Sequence, residues 1–552
     1  MRQAPSPVSP RRDPVQALGW LALAAVVLAI VLRLPVGLDL SDEAYYAAFI
    51  DDWLKGSIRS STLSTLHQTS ALVAYPAARL YALATGGTDG LYLFLRTLFL
   101  LGALASSAAW LVFMRRLGEA TLAPFAAGLV LAFIPFSLPA PSYNTLGQQG
   151  LVIALAAYGC AFLTTRRRAQ MAWGTVAAIA GSVTTVAYPS LAVAFATLGL
   201  LTLIVHPQRW LHLALMAVAA AIVGGFAIAV LTPHRLWESV VYLNAVNDAG
   251  GLARKVEFSL GLLQRYPGFG ALAALSILVG LIRRWIPGWA AVLAIGLIAL
   301  ATLLYPPALF SKSHEVVTLT ALGGLGMLAG LGPGAEPRAR LFAILYVTSL
   351  AASLAITISA TNAIYNSCIG LLPAAALALL PARPEHRNAM IWAQISAALA
   401  CLGAILTTTL GDHYGELPGP ARARIDTGFY SGISARPGDL ALLDLIRSRI
   451  NPLLATDPTI AVVGRSPGII LETPARPLML TVFPLQPNIP KAGLDATTQF
   501  YSDPAHRPAV VLVYKDPYFE PVNPFGPAFG TWYRPVETLA TPLGTLSIYS
   551  RR

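Results

Sequence analysis

The run LGWLALAAVVLAIVLRL (Leu18–Leu34) is followed, after a short linker, by SDEAYYAAFIDDWLKG (Ser41–Gly56). The first run is apolar and long enough to cross a bilayer as a helix. The second opens with two carboxylates, Asp42 and Glu43, at the mouth of that span. A span needs no carboxylate pair there. At headgroup depth, an Asp meets molecules whose polar head lies at the membrane surface and whose tail stays in lipid. Arg2, Arg11 and Arg12 precede the first run, and no clear small-residue cleavage site follows it. That is the pattern of a retained signal-anchor.

Composition extends the membrane reading to most of the chain. Hydrophobic residues make up 56% and charged residues 12%, with mean hydropathy +0.63, where a soluble domain carries about 25% charged residues. Apolar runs of spanning length recur as far as Leu410, which makes a polytopic helical protein, since backbone in lipid must satisfy its own hydrogen bonds. The formal charge of +12 comes mostly from short basic loops that set topology, so no nucleic-acid partner is implied. Cys160, Cys368 and Cys401 fall in or beside apolar segments and form no disulfide framework. His314-Glu315 and Asp412-His413 are isolated pairs, not ligand sets. No phosphate-cradling glycine loop and no dinucleotide fingerprint occurs. Neither a metal nor another cofactor is expected, nor a soluble nucleotide-linked substrate.

Spans are expected near 16–34, 92–113, 121–138, 146–164, 171–187, 190–205, 211–231, 259–281, 286–304, 315–333, 340–358, 363–381 and 390–410, about thirteen in all. With residues 1–15 as a cytoplasmic tail, alternate loops carry the basic residues: Arg115-Arg116, Arg166 to Arg168, Arg209, Arg283-Arg284, Arg338 with Arg340, and Arg383 with Arg387. The loops at 139–145, 188–189 and 359–362 carry none. This alternation holds only if 68–86, with Pro76 and Arg79, does not cross. It is expected to lie in the membrane interface, as is 41–55. In the latter, Tyr45, Tyr46, Phe49, Ile50 and Trp53 suit the headgroup zone, with Asp51 and Asp52 towards water. The first external loop, 35–91, holds both interfacial helices. Residues 411–552 read as a separate domain, with strands at Thr459–Val463, Leu478–Phe483, Ala509–Tyr514 and Leu543–Tyr549 and a helix over Gly438–Ile450. An odd number of spans puts that domain outside. The expected fold class is thus an all-α polytopic membrane protein over 16–410, with a small extracytoplasmic α/β domain.

This arrangement resembles the C superfamily of glycosyltransferases, in particular the branch of protein O-mannosyltransferases and aminoarabinose transferases. The residues that carry the likeness are Asp42 and Glu43, Tyr45 and Tyr46, His67 before the second interfacial helix, and Leu95-Arg96 leading into the span that closes at Arg115-Arg116-Leu117-Gly118. It extends over most of the membrane part. It implies a transferase in a bacterial plasma (inner) membrane that moves a sugar from a polyprenyl phosphate to an extracytoplasmic glycan, lipid or protein acceptor. By likeness, Asp42 is the base that takes the acceptor proton and Glu43 a supporting carboxylate. The rival reading of Asp42 is a helix N-cap, with Ser41 or Asp39 as other candidates for that role.

The leaving lipid phosphate needs cations. External loops are normally poor in them, so Lys312, Arg59 and Arg79 stand out as donor-phosphate ligands, with Arg96, His67 and His314 beside them. Lys312 is preferred, for its short loop and apolar neighbours. Arg96 has a second reading, as the structural partner of an acidic loop residue, because charge inside a span usually faces protein. Tyr45, Tyr46, Tyr143 and Asn144 are candidate contacts for sugar or acceptor. The chain departs from the family where many relatives have an acidic second external loop. Here it reads Pro141-Ser142-Tyr143-Asn144-Thr145, and His67-Gln68-Thr69 replaces a His- or Lys-Pro-Pro run. Tyr188-Pro189 reads as a helix-end breaker. A flippase or transporter for lipid-linked glycans fits less well, because transporters place ionisable residues mid-span. An O-antigen-type polymerase or ligase fits less well too, because the large late segment is a folded domain.

Overall fold

The computed structural model describes residues 14–63, 68–206, 208–247, 251–305, 311–332, 334–360, 363–380, 387–410, 422–482, 491–516, 520–541 and 544–552. The membrane part is helical: α1 (Pro14–Arg33), α2 (Asp42–Lys55), α3 (Gln68–Thr85), α4 (Leu91–Arg116), α5 (Ala123–Ala132), α6 (Tyr143–Phe162), α7 (Arg167–Ala187), α8 (Ala192–Val205), α9 (Arg209–Leu231), α10 (Pro233–Asn247), α11 (Gly251–Arg265), α12 (Pro267–Ile282), α13 (Gly288–Leu304), α14 (Lys312–Leu322), α15 (Pro337–Ser359), α16 (Ser367–Ala378) and α17 (Arg387–Thr409). Helix occurs at every position where a span is expected. Among the described residues, 6 helices are long and apolar enough to cross a membrane, and up to 8 if each of two bent pairs is one span.

The bends correct two expected spans. The segment 259–281 is not one straight helix: α11 and α12 meet at 103°. Pro267 at the joint has no N–H to continue the ladder of α11. Likewise α14 gives way at Gly323-Gly324 to a 3₁₀ turn over Leu325–Leu331, bent by 41°. The expected span 121–138 contains only the short α5, followed by a 3₁₀ turn at Pro135–Ser137.

Charge separates the two ends of the bundle. At one end Arg116 donates to Thr164 (3.0 Å), Arg338 pairs with Glu119 and reaches the Leu117 carbonyl, and Arg283 donates to the carbonyls of Ala378 (2.7 Å) and Leu380. The basic turns spaced along the sequence are thus neighbours in space. The linker 34–41 and the starts of α2 and α6 lie at the other end.

The C-terminal region covers that second end. It contains β1 (Ala423–Arg424), β2 (Ser434–Ala435), α18 (Pro437–Leu445) running into a π turn at Ile446–Ile450, β3 (Thr459–Val463), β4 (Arg476–Pro477), α19 (Lys491–Ser502), β5 (Val510–Lys515), α20 (Phe529–Trp532), β6 (Tyr533–Thr541) and β7 (Gly544–Arg551). One sheet has the order β4-β3-β5-β7-β6, with β3 parallel to β4 and β5 and the β5–β7–β6 part antiparallel. The strand at 459–463 has its expected bounds. The strand expected at 478–483 is absent among its described residues; the chain pairs at Arg476–Pro477, then turns so that the Met479 sulfur meets the Val462 N–H. Helix α19 and edge strand β6 were not foreseen. In β6 most residues face solvent and a bulge falls between Pro535 and Glu537, so the expected alternation of a half-buried strand is missing.

The larger correction concerns α2. Its aromatic face meets protein and not lipid headgroups. It shares one apolar core with α3 and the C-terminal sheet, in which Phe49, Ile50 and Trp53 pack with Tyr430, Ile469 and Ile470. A 3₁₀ turn at Pro467–Glu472 sits directly on its start. The Gly468 N–H donates to the Leu40 carbonyl at 2.8 Å, and a Cβ there would fall 2.8 Å from Leu40 Cα and 2.9 Å from the Ala44 Cβ. Only glycine permits that approach. Asp51 and Asp52, expected towards water, are 0% exposed. Asp51 pairs with Lys55 (2.7 Å), whose ammonium also donates to the Thr473 and Ala475 carbonyls. Asp52 pairs with Arg476 (3.0 Å). The second carboxylate pair of the motif is therefore a clamp between α2 and β4. Its burial pushes the Asp51 carboxyl up to about 6 against the pull of Lys55.

Candidate active site

The linker between α1 and α2 is held by Arg96 on α4. The Arg96 guanidinium, 1% exposed, donates through Nε to Glu43 Oε2 (2.9 Å), and to the carbonyls of Leu34 (2.7 Å), Val36 (3.1 Å) and Gly37 (2.8 Å). It also lies over the Tyr92 ring at 4.8 Å. Glu43 is 2% exposed, and its Oε2 is 2.9 Å from Arg96 Nη2. Arg96 is thus spent inside the protein instead of offered to a phosphate, which corrects the first of its two readings. Glu43 acts on the site by fixing the backbone beside Asp42.

The cap of α2 is a different carboxylate. Asp39 accepts from the Ser41 N–H (2.8 Å), the Ser41 hydroxyl (2.6 Å) and the Glu43 N–H (3.0 Å), so the N-cap reading of Asp42 is taken up by Asp39. Asp42 is the first residue of the helix and keeps partial exposure.

Beside Asp42 stand tyrosines from α2 and α6, with Tyr188, just past the end of α7, packed behind them. Tyr46 and Tyr143 are within electrostatic reach of its carboxylate. The Tyr46 and Tyr143 rings are 5.9 Å apart, and Tyr143 meets Tyr188 edge-on at 4.7 Å. Burial, then the neighbouring Tyr143, Tyr45, Asp42 and Tyr188, holds the Tyr46 phenol well above its ordinary range. It stays a neutral hydrogen-bond donor. Tyr45 points its ring at Tyr46 (5.1 Å) and Phe49 (5.5 Å) and is 2% exposed, a packing position and not the expected sugar contact. Tyr143 and Asn144 are set by a capping box just before them: Ser142 Oγ accepts from the Thr145 N–H (3.1 Å) and Thr145 Oγ1 from the Ser142 N–H (2.9 Å). Since Ser142 caps α6, Tyr143 and Asn144 are not needed for the turn.

Tyr188 is the residue that sequence reasoning missed. Its signal was present but weak: Gly147 lies one turn into α6, and a Cβ there would fall 2.9 Å from the Tyr188 ring. That glycine lets the end of α7 lie against the start of α6. Arg235 on α10 is a structural cation. It donates to the carbonyls of Leu63 (2.7 Å) and Ile58 and so fixes the turn after α2.

The expected phosphate ligands do not form one set. Lys312 and His314 open α14. The Lys312 ammonium is bound to the Tyr305 carbonyl and lies 3.4 Å from Glu315. His314 Nε2 accepts from the Phe136 N–H (3.2 Å), and its ring is packed by Phe133 (5.5 Å) and Phe136 (4.8 Å). A ring nitrogen that accepts a backbone N–H carries no proton there, which corrects the expected phosphate role of His314. Arg59 and Arg79 belong to the α2–α3 side and are exposed. Arg79 donates to the Tyr75 hydroxyl (3.2 Å), and the Tyr75 ring stands on Trp53 at 5.4 Å. His67 lies outside the described residues. Among the described residues, no group of three or more His, Cys, Asp or Glu side chains could hold a metal ion.

No protein-family model matches the chain, and no curated protein matches it. Among solved structures the fold is similar to that of ArnT from Cupriavidus metallidurans in the apo state, at 12% sequence identity and a TM-score of 0.48, covering 96% of this chain and 98% of that one. It is also similar to ArnT from the same organism bound to undecaprenyl phosphate, at 14% identity and a TM-score of 0.44, covering 97% and 98%. At this level the likeness carries no argument about chemistry, which rests on the residues above.

Proposed function

We propose that the chain is an integral membrane glycosyltransferase of the C superfamily type, with about thirteen spans, that transfers a sugar from a polyprenyl phosphate to a hydroxyl on the extracytoplasmic side. Asp42 is its base. One observation carries this: Asp42 opens α2 with partial exposure, within electrostatic reach of Tyr46 and Tyr143, while the neighbouring carboxylates are buried. Asp39 caps α2, Glu43 holds Arg96, Asp51 holds Lys55 and Asp52 holds Arg476.

In the reaction the acceptor hydroxyl gives its proton to Asp42 as its oxygen attacks the anomeric carbon. The bond between that carbon and the phosphate oxygen breaks, and the polyprenyl phosphate leaves as an anion. Cations at headgroup depth stabilise it; Lys312, Arg59 and Arg79 are the candidates that remain. Tyr46 and Tyr143, as neutral donors, orient the acceptor or the sugar. The lipid tail is accommodated by an apolar groove of ≈ 320 Å³ between α7, α8 and α9, lined by Gly181, Thr185, Val186, Ala192, Phe195 and Met216. Its Val186 end flanks Tyr188.

The test compares the cell-envelope glycans of producing cells with and without the gene, by mass spectrometry, with an Asp42→Asn strain alongside. The reading expects one sugar mass to disappear in both the deletion and the Asp42→Asn strain. Unchanged glycans in the deletion strain, or a normal product with Asp42→Asn, overturns it.

A further inference from the structure

The end of the bundle beside Asp42 holds more polar capacity than its fold uses. Among the buried side-chain atoms there that meet no hydrogen-bond partner among the described residues are Asn144 Oδ1, Tyr188 Oη, Asn366 Oδ1 and Ser367 Oγ. Their residues are 6%, 6%, 1% and 6% exposed, respectively. They come from the start of α6, the end of α7 and the turn into α16. The Tyr188 ring stands on Tyr143. Asn366 and Ser359 approach its phenol without a well-formed hydrogen bond. Each such atom costs about 1–3 kcal/mol when left unpaired, so four in one region are not explained by folding alone.

Their chemistry restricts what would satisfy them. The two amide oxygens only accept, and the two hydroxyls donate or accept. None is charged. The segments that bring them, 139–149, 186–191 and 363–368, contain no Asp, Glu, Lys or Arg. A cationic amino sugar would find no counter-charge there apart from Asp42, which the reaction uses as its base. A uronic acid would find none at all. A molecule rich in neutral hydroxyl groups meets both needs: its O–H groups donate to Asn144 and Asn366, and its oxygens accept from Tyr188 and Ser367.

We infer that Asn144, Tyr188, Asn366 and Ser367 form a subsite for the hydroxyl groups of a neutral sugar, a pentose or hexose without amino or carboxylate groups, carried by the lipid-phosphate donor. The inference rests on the transfer reaction proposed above. It adds the class of sugar and three residues, Tyr188, Asn366 and Ser367, to the earlier candidate Asn144.

The experiment measures binding to the purified full-length protein in detergent with three probes: farnesyl phosphate, farnesyl-phosphoryl mannose and farnesyl-phosphoryl 4-amino-4-deoxyarabinose. The neutral sugar should raise affinity over farnesyl phosphate by about tenfold or more, and the amino sugar by less. Tyr188→Phe, which keeps the ring packing, and Asn366→Leu should each cut the neutral-sugar increment by about two- to tenfold, the range of one lost hydrogen bond. Affinity for farnesyl phosphate should not change, which also reports that the variants fold. A preference for the amino sugar, or an increment untouched by both substitutions, overturns the subsite. Farnesyl phosphate binding with no gain from any sugar overturns it too, while leaving the lipid-phosphate reading in place. Failure of all three probes to bind the wild type overturns both.

Discussion

Asp42 and Glu43 are adjacent in sequence, yet their removal should fail in opposite ways. Glu43 Oε2 accepts a hydrogen bond from Arg96 Nε and makes an ion-pair contact with its Nη2, both at 2.9 Å, with both partners buried. Removing one partner of such a pair costs about 3–5 kcal/mol, because the other charge stays buried and unpaired. Glu43→Gln should lie near the lower end. Arg96 keeps three backbone carbonyls and the Tyr92 ring, which still hold part of its charge. Arg96→Met should lie near the upper end: it strands the Glu43 carboxylate and frees the carbonyls of Leu34, Val36 and Gly37 at once. Asp42→Asn, at a partly exposed position, should change stability by no more than about 0.5 kcal/mol, while transfer falls by about a hundredfold to ten-thousandfold. The assay is equilibrium unfolding of the purified protein in mixed micelles, paired with the glycan mass readout in cells. The reasoning is refuted if Glu43→Gln and Arg96→Met both unfold like wild type. It is equally refuted if Asp42→Asn destabilises as Glu43→Gln does, which would make Asp42 structural.

Other outcomes follow from single contacts. Gly468→Ala places a methyl against Leu40 and Ala44 and should destabilise by about 1–3 kcal/mol through overpacking, seen as faster hydrogen exchange in both α2 and the 467–472 turn; protection that stays normal would disprove the close docking. Asp51, with its folded carboxyl raised to about 6, binds more protons folded than unfolded, so its contribution to stability falls as pH rises from about 4 to about 6 and is flat above. Asp51→Asn should therefore gain on wild type across that window, and a melting-temperature difference independent of pH there would contradict the assignment. Lys312→Ala should weaken the use of a lipid-phosphate donor by about tenfold at saturating acceptor, with Lys312→Arg between the two; an unchanged donor titration in both passes the role to Arg59 or Arg79. A reporter that is active only outside the cytoplasm, fused after Arg552, should be active, whereas a silent fusion would mean that the segment of α3 crosses the membrane.

The sequence made helix positions legible because apolar length and the spacing of arginines are local signals. Helices α1, α4, α6 and α15 lie where hydropathy puts them, and the arginine-bearing turns meet at one end as their alternation requires. Bends were legible only in part. Pro267 marks one, but the break after α14 comes from two glycines that look like ordinary packing glycines of a membrane helix. Strand β3 was readable from its β-branched run, Thr459 to Val463, whereas β6, with mostly solvent-facing residues and a bulge, lacks the alternation that reveals a strand.

What could not be read was which charged residues would be used up by folding. Asp42 and Glu43, or Asp51 and Asp52, look alike in sequence. The difference lies in partners more than 50 residues away, Arg96 for Glu43 and Arg476 for Asp52. Tyrosines at 45 and 46 likewise differ only in what packs on each. The aromatic face of α2 suited a membrane interface and equally suited a protein core, and periodicity does not separate the two. The choice was made by a distant glycine, Gly468, which admits the C-terminal domain onto the helix. A helix buried on nearly all sides can hold one carboxylate in fixed geometry beside Tyr46 and Tyr143, which a helix free to roll in the headgroup layer cannot. Near-attack chemistry depends on sub-ångström placement. On the proposed reaction, the C-terminal domain therefore serves the site by holding α2 still, while the proton goes to Asp42.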